Sequence, residues 1–142
     1  MEWLVGVGAA LYMPLGHSPD VDLVADLDGR LIRVQVKTCG LWRNGRWEVT
    51  LCTRGGNRSW NGVVKLFSAK RCDWLFVHVA DGRRWFIPAS EVEGGSGIVL
   101  GGPKYAAYEV EPGRPWSATL GATSLDSTPA RRGSRAVKGT RL

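Results

Sequence analysis

The stretch PDVDLVADLDGRLIRVQVKT, residues 19–38, decides the fold of this chain. At its centre, Asp28-Gly29 is a strong signal for a two-residue type I′ turn, because both central residues of that turn need a positive φ. The turn predicts a β-hairpin with one strand on either side. Since the loop has two residues, Leu27 must face Arg30, and this pairing sets the register of the whole hairpin.

The register sorts the hairpin side chains onto two faces, because side chains alternate along a strand. The apolar face is predicted to pack in the core and contains Leu23, Ala25, Leu27, Ile32, Val34 and Val36. The polar face contains Asp22, Asp26, Arg33, Gln35 and Lys37. On the polar face Asp22 lies opposite Gln35, and Lys37 follows two residues later. If the first strand extends far enough, Asp20 reaches Lys37.

The polar face has the chemistry of a site for a hard divalent cation. Mg²⁺ prefers a carboxylate plus neutral oxygens and keeps several waters. Asp22, the Gln35 carboxamide and the main-chain carbonyl of Val36 are therefore candidate ligands. Lys37 is placed to act on an attacking water or to neutralise charge in a transition state. The pattern alone leaves open a solvated hairpin face whose charges are incidental.

This segment resembles the core of the PD-(D/E)xK nuclease superfamily. The resemblance lies in PDVDLV, residues 19–24, and in VQVKT, residues 34–38, on either side of the turn. The Gln in place of the usual acid, the VQVK string and the preceding PLG are similar to the branch that contains group I intron homing endonucleases. That branch is akin to the Holliday junction resolvases. The similarity continues through residues 72–92 and spans residues 3–93, with a poorly matched middle loop.

The resemblance implies a restriction-endonuclease-like α/β domain with a central mixed sheet and few helices. It also implies a metal-dependent DNA endonuclease that uses Mg²⁺, or Mn²⁺, to hydrolyse phosphodiester bonds. Asp22 is then the metal-ligating aspartate, assisted by the Val36 carbonyl, while Gln35 and Lys37 complete the catalytic motif. Asp20 is a rival for the aspartate role, but the register favours Asp22. A double-strand cutter of this size implies a homodimer or a larger homo-oligomer.

The beginning of the chain departs from the family pattern. The family places a glutamate on a helix well upstream of the aspartate, whereas here residues 1–7 predict only the last turn or two of a helix. Glu2 is the candidate for the additional acid. The alternatives are a true start further upstream or a truncated copy. A truncated nuclease leads to a second hypothesis for function, a non-catalytic nucleic-acid-binding module.

The net charge of +6 is concentrated near the carboxyl end. Residues 1–113 carry thirteen Lys and Arg against twelve Asp and Glu, whereas residues 114–142 carry six against one. The composition turns to Ser, Thr, Gly, Pro and Arg without periodicity beyond Pro112. We therefore predict a domain over residues 1–112 and a disordered basic tail over residues 113–142. A basic arm suggests a polyanion such as DNA as the partner.

The middle loop contains residue types that contact phosphates and stack on bases. The candidates for nucleic-acid binding are Arg54, Arg58, Trp60 and Lys65. A solvated loop has a similar composition and stays an alternative. Trp42 and Trp47 flank a turn and predict cross-strand packing instead. His78 lies in an apolar strand, which predicts a buried core histidine.

The remaining composition narrows the class of protein. Three cysteines without a C-x-x-C pair argue against a disulfide scaffold or a four-ligand zinc site and suit a reducing, cytoplasmic location. The apolar stretch over residues 3–15 is too short to span a bilayer and has no positive n-region, so no membrane association is expected. Further strands are predicted over residues 8–15, 46–53, 73–79, 84–88, 98–100 and 105–110, with a short helix from Ser90.

Overall fold

A computed structural model describes residues 1–16, 18, 20–54 and 64–110. The predicted basic tail, Arg58, Trp60 and the turn residues His17 and Pro19 lie outside the described residues. Within this part of the chain, no helix is long and apolar enough to cross a membrane. The elements, in chain order, are α1 (Glu2–Gly6), β1 (Ala10–Tyr12), β2 (Leu23–Leu27), β3 (Arg30–Cys39), β4 (Trp42–Arg43), β5 (Arg46–Thr50), β6 (Thr53–Arg54), β7 (Val64–Lys65), β8 (Trp74–Val79), β9 (Arg84–Pro88), the 3₁₀ helix η1 (Ala89–Val92), β10 (Gly97–Leu100), the 3₁₀ helix η2 (Pro103–Tyr108) and β11 (Glu109–Val110).

A six-stranded mixed sheet forms the centre of the domain, in the order β1-β2-β3-β8-β9-β11. Strands β3 and β8 run parallel, and the other neighbours are antiparallel. A second sheet has the order β10-β5-β4, and β6 pairs only with β7. The domain is therefore mixed α/β with few helices, as the resemblance implied.

The hairpin of β2 and β3 has the predicted register. Leu27 faces Arg30, and the ladder continues through Asp26–Leu31 to Leu23–Val34 without a slip. The turn residues have positive φ, 52° at Asp28 and 83° at Gly29, as a type I′ turn requires. A local turn of two residues thus determines which side chains of the central sheet share a face.

Each face of the central sheet covers its own hydrophobic core. The first core contains the apolar residues of the hairpin and the side chains of α1 and of the neighbouring strands, namely Trp3, Leu4, Ala9, Leu23, Ala25, Ile32, Val34, Trp74, Phe76, Phe86 and Val110. The second core lies between the central sheet and the β10-β5-β4 sheet and contains, among others, Trp47, Val49, Leu75, Val77, Trp85, Ile87, Ile98 and Leu100. The polar side of the hairpin therefore faces the second core, beside the second sheet.

Several local predictions need correction. The predicted strand over 105–110 is the helix η2 followed by the two-residue strand β11, because Pro103 starts a helical turn that buries Tyr105. The strand predicted over 46–53 ends at Thr50. His78 is exposed, because the apolar core under that face of β8 ends at Phe76. The edge strand β1 has three residues, not eight.

The other local predictions are confirmed. The Trp42 and Trp47 side chains pack across β4 and β5, with ring centroids 4.8 Å apart in an edge-on arrangement. The short helix predicted from Ser90 is η1, which begins one residue earlier. The end of a helix predicted over residues 1–7 is α1, which buries Trp3 and Leu4.

Candidate active site

Asp22 lies immediately before β2. Its carboxylate accepts a hydrogen bond from β3 that a backbone carbonyl would accept in a continued ladder. Its backbone N–H donates to the carbonyl of Val34 at 3.0 Å, immediately past the last ladder pair. The N–H of Val36 has no strand partner on this side and donates instead to Oδ2 of Asp22 at 2.7 Å. A backbone N–H without a strand partner needs another hydrogen-bond acceptor. The Asp22 carboxylate is that acceptor, and the bond holds it against β3. The side chain itself is exposed.

One oxygen of Asp22 and one carbonyl of β3 stay available beside each other. In the part of the chain that is described, no side-chain or backbone donor contacts Oδ1 of Asp22. The N–H and C=O of one residue in an antiparallel strand point to the same neighbour. The carbonyl of Val36 is therefore turned toward the side on which Asp22 lies, beyond the end of the β2 ladder.

Gln35 and Lys37 extend from β3 on the face that covers the second core. Gln35 lies beside Leu75 of β8, and Lys37 lies beside Val77. Gln35 is 7% exposed, and among the described residues it is the polar side chain that is buried rather than half-buried or exposed. Neither the Gln35 carboxamide nor the half-buried Lys37 ammonium forms a hydrogen bond or ion pair with the described residues. Polar groups at this depth normally have partners, which marks both as groups available to a ligand.

Arg33, on the same face, forms an ion pair with Asp73. Its guanidinium forms two bonds to the Asp73 carboxylate, 2.8 Å from Nη2 to Oδ1 and 3.1 Å from Nε to Oδ2. Its backbone N–H also donates to Oδ2 of Asp73, at 2.8 Å. The hydrogen bonds from Arg33 hold the pKa of the Asp73 carboxyl below its usual range, and the same bonds raise the pKa of Arg33. This pair ties β3 to the start of β8.

Cys72, next to Asp73 in the chain, is an inert neighbour. Burial raises the pKa of its thiol to about 11, and the Asp73 carboxylate adds to this effect. A thiol with so high a pKa is protonated near neutral pH and is a poor nucleophile or metal ligand.

The structure distinguishes Asp20 from Asp22. Asp20 does not reach Lys37. Its Oδ2 contacts Nζ of Lys65 at 2.6 Å, and its Oδ1 contacts Nε of Arg71 at 3.3 Å. Both carboxylate oxygens are therefore held by cations, whereas Asp22 keeps one oxygen available. The pairing of Asp20 with Lys65 and Arg71 could not be read from the sequence, because the partners lie 45 and 51 residues away.

The predicted nucleic-acid contacts are only partly described. Lys65 lies at the end of β7 and is paired with Asp20. Arg54 lies in β6, opposite Val64. Arg58 and Trp60 fall outside the described residues, so their role stays a prediction.

Glu2 lies in the first turn of α1 and is exposed. The helix packs through Trp3 and Leu4 into the first core, the one on the sheet face opposite Gln35 and Lys37. No hydrogen bond or ion pair joins Glu2 to another described residue. The role of Glu2 as an additional acid stays a prediction.

The donors at the start of β2 fit a divalent metal ion of the hard class. They comprise the available Asp22 oxygen, the Val36 carbonyl on the same side and the unpartnered Gln35 carboxamide. Oxygen donors with a single carboxylate suit Mg²⁺, which retains waters in its remaining positions. Within residues 1–54 and 64–110 as described, no group of three His, Cys, Asp or Glu side chains forms an alternative metal site.

Comparison with known proteins bears on the fold and the family of the chain. Among solved structures, a bacterial homing endonuclease, I-Ssp6803I, matches with a TM-score of 0.62 and 24% sequence identity, over 75% of this chain and 78% of that chain. The match confirms the restriction-endonuclease-like fold. No curated protein matches the chain. The family model described as PD-(D/E)XK endonuclease matches residues 1–99, more than half of the sequence. The chain therefore belongs to the PD-(D/E)XK endonuclease family.

Proposed function

We propose that this protein is a metal-dependent endonuclease that hydrolyses phosphodiester bonds of DNA, with Mg²⁺ as the cofactor and Mn²⁺ as a substitute. The observation that carries the proposal is the arrangement at the start of β2. The Val36 N–H holds the Asp22 carboxylate at 2.7 Å, with the unpartnered Gln35 and Lys37 side chains on the adjacent strand. Family membership supports a nuclease, and this arrangement supplies the groups that the chemistry needs.

Asp22, Gln35 and the Val36 carbonyl are the groups that would hold the metal. When bound, a divalent cation supplies Lewis-acid stabilisation of negative charge on the phosphate. The hydrogen bond from Val36 keeps the Asp22 carboxylate in one orientation before any ligand arrives, and this preorganisation favours catalysis. Because Gln35 is neutral, the metal site carries one formal negative charge. We therefore expect weaker Mg²⁺ binding than in a site with two carboxylates.

Lys37 supplies a charge at the reacting phosphate. Its ammonium group is half-buried and has no counter-ion among the described residues, so it is free to meet an anionic substrate. There it stabilises the negative charge that develops on the phosphate during attack, or it accepts a proton from the attacking water when it is itself deprotonated. Both roles predict a loss of cleavage without a comparable loss of DNA affinity in Lys37→Ala.

The test is cleavage of supercoiled plasmid and of branched DNA in Mg²⁺ by wild type, Asp22→Asn and Lys37→Ala. Asn keeps an acceptor for the Val36 N–H, so Asp22→Asn removes charge and leaves the fold intact. We expect both variants to cleave at least about a hundredfold more slowly than wild type.

Two matched variants control for the loss of a charged side chain. Asp26→Asn, in the same hairpin, keeps the oxygen that accepts the Gly29 N–H at 2.8 Å. Lys104→Ala removes an exposed lysine of η2. Both should cleave like wild type. Full activity of Asp22→Asn would overturn the proposal, and a folded wild type that binds DNA without cutting it would favour a non-catalytic binding module.

We further propose that the protein acts on duplex DNA as a homodimer or a larger homo-oligomer. Cleavage of both strands by a domain with one site needs two copies related by a two-fold axis. Sedimentation of the protein with and without a DNA duplex tests this. A single protomer on DNA that still cuts both strands in one binding event would contradict it.

A further inference from the structure

The turn of the β4–β5 hairpin, residues 43–46, places two arginines directly opposite each other, and we refer to it as the arginine tip. Its central residues, Asn44 and Gly45, have φ of 50° and 73°, as a type I′ turn requires. Arg43 pairs with Arg46 across this turn. Like charges that face each other in a strand pair destabilise it. The arginine tip is therefore stabilised by an anion that neutralises the pair.

Both guanidinium groups are available to such an anion. The Arg43 side chain is 62% exposed, and its Nη1 lies 3.8 Å from Oε2 of Glu48, beyond the distance of a hydrogen bond. Arg46 is exposed, and its Nη1 donates to the neighbouring Gly45 carbonyl at 3.0 Å. Among the described residues, no carboxylate forms an ion pair with Arg46. The tip thus presents two cations, of which one has a distant counter-ion and the other has none in this part of the chain.

The β2–β3 hairpin has the same type of turn without the paired cations. There Arg30 is also exposed and flanks the turn, but its strand partner is Leu27 and the turn itself contains Asp28. The two charges of that turn cancel. The paired cations are therefore a property of the sequence of the arginine tip and not of the turn type, and Arg30 is a matched control for it.

The arginine tip is fixed to the body of the domain. The Trp47 side chain packs into the second core, and the Trp42 ring contacts it at a centroid distance of 4.8 Å. The Cys39 thiol donates to the Glu48 carbonyl at 2.9 Å and ties β5 to the end of β3. A hairpin that is formed and held before a ligand arrives loses little entropy on binding.

The tip lies within reach of a duplex bound at the active site. Its sheet covers the face of the central sheet from which Lys37 extends. Six positions of chain lead from Lys37 to Arg43, so their Cα atoms are at most about 22 Å apart. This span equals about six base-pair steps of B-DNA. One duplex can therefore meet both residues.

We propose that the arginine tip is a DNA-binding element, which enters the major groove of the duplex beside the active site and binds its phosphates through Arg43 and Arg46. This inference rests on the proposed function, which makes DNA the substrate. The major groove of B-DNA admits a two-stranded β-ribbon, whereas that of duplex RNA is too deep and narrow. The planar guanidinium group of arginine binds a phosphate through two parallel hydrogen bonds.

The test measures the affinity of the full chain for a labelled DNA duplex of mixed sequence, by fluorescence anisotropy in EDTA over a series of salt concentrations. Each phosphate contact contributes about 0.9 to the slope of log K against log salt. Arg43→Gln and Arg46→Gln should each reduce this slope by about 0.9 for every bound protomer and raise Kd about eightfold at about 0.1 M salt. The double variant should reduce the slope by about 1.8.

Two variants control for charge and position. Arg46→Lys keeps the cation and should keep a slope close to that of wild type, whereas Arg30→Gln removes an exposed arginine from the other hairpin and should leave slope and Kd unchanged. Because Arg43 and Arg46 repel each other, their glutamine variants should not have a lower Tm than wild type. A lower Tm would show that the arginines serve the fold instead.

Several outcomes would overturn the inference. An unchanged slope in the double variant would exclude the phosphate contacts, and an equal loss of affinity in Arg30→Gln would reduce the effect to net charge. An equal loss of affinity for duplex RNA would exclude a role in the DNA groove.

The absence of metal in this assay separates the inference from the proposed catalysis. A wild type that binds DNA without cleaving it would end the proposed catalysis, while the slope of the double variant would still decide the role of the arginine tip. Normal cleavage by wild type, together with an unchanged slope in the double variant, would refute the arginine tip alone. A wild type that binds no DNA would refute both proposals.

Discussion

Replacing Gln35 by leucine should make the protein more stable and inactive. Gln35 is 7% exposed, and its carboxamide has no hydrogen-bond partner among the described residues. The residue opposite Gln35 on β8 is Leu75, which is fully buried. A leucine at position 35 would extend that apolar contact and remove a polar group that burial penalises. The same change removes an oxygen that the proposed metal site uses.

The size of the effect follows from the burial. A buried polar group without a partner costs about 1–3 kcal/mol. The Gln35 amide atoms are not among the fully enclosed polar atoms, so water still reaches them slightly, and the lower end of this range applies. We expect the free energy of unfolding to rise by about 1 kcal/mol and Tm to rise by about 4 °C. Leucine is close to glutamine in volume, so little packing strain offsets the gain.

Urea denaturation and plasmid cleavage measure the two halves of this prediction. Gln35→Glu is the matched variant, because it keeps an oxygen ligand and adds a second carboxylate next to Asp22. It should cleave at a lower Mg²⁺ concentration than wild type requires and should be less stable without metal. A Gln35→Leu variant that is destabilised by 1 kcal/mol or more, on the order of a lost buried hydrogen bond, would refute the reasoning. Wild-type cleavage by that variant would exclude Gln35 from the site.

Three further predictions concern the scaffold around the site. Arg33 lowers the pKa of Asp73, so this pair stabilises the fold above the unfolded carboxyl pKa of about 3.9, and the effect is lost as pH falls through the lower folded pKa. With the side chains 43% and 38% exposed, Asp73→Asn should cost about 0.5 kcal/mol in urea denaturation at pH 7 and less at pH 3; an equal cost at both pH values would contradict this. The Cys72 thiol is 1% exposed and has a pKa of about 11, so it should resist iodoacetamide at pH 8 until urea unfolds the chain. The two half-buried cysteines, Cys39 and Cys52, should react in the native protein. Equal labelling of all three cysteines in the native protein would disprove this prediction. An added Cβ at Gly97 would meet a β5 carbonyl oxygen at 2.9 Å, so Gly97→Ala should lower the free energy of unfolding by about 1–2 kcal/mol. At Gly6 the added Cβ enters open space, so Gly6→Ala should leave the free energy of unfolding unchanged. Equal unfolding midpoints for these two variants would count against the β5–β10 packing.

The sequence predicts the central hairpin because the signals for it are local. A positive φ at two adjacent positions selects the turn, the turn length sets the register, and the register separates apolar from polar side chains. For this reason the pairing from Leu27–Arg30 to Leu23–Val34 is confirmed residue by residue. The strands predicted over residues 73–79 and 84–88 are similarly β8 and β9 in the structure.

Predictions that depended on distant parts of the chain were less successful. His78 was expected in the core from its apolar neighbours, but burial depends on what packs above a strand, and the first core ends at Phe76. The segment over 105–110 was predicted as a strand, yet Tyr105 is buried from a 3₁₀ helix. In both places, burial depends on whether a distant part of the chain packs against the residue, and this leaves no local signal in the sequence.

For the site, the sequence by itself predicted that Gln35 and Lys37 share one face of β3, with Asp22 beside them, because turn geometry and strand alternation act over a few residues. Only the tertiary structure decided how deeply each of these side chains is buried and which groups bind it. It buries most of Gln35 on the face that covers the second core, binds Asp22 to the Val36 N–H and pairs Asp20 with Lys65 and Arg71. The physical reason is that burial and ion pairing depend on distance in space, and the partners of Asp20 lie 45 and 51 residues away along the chain.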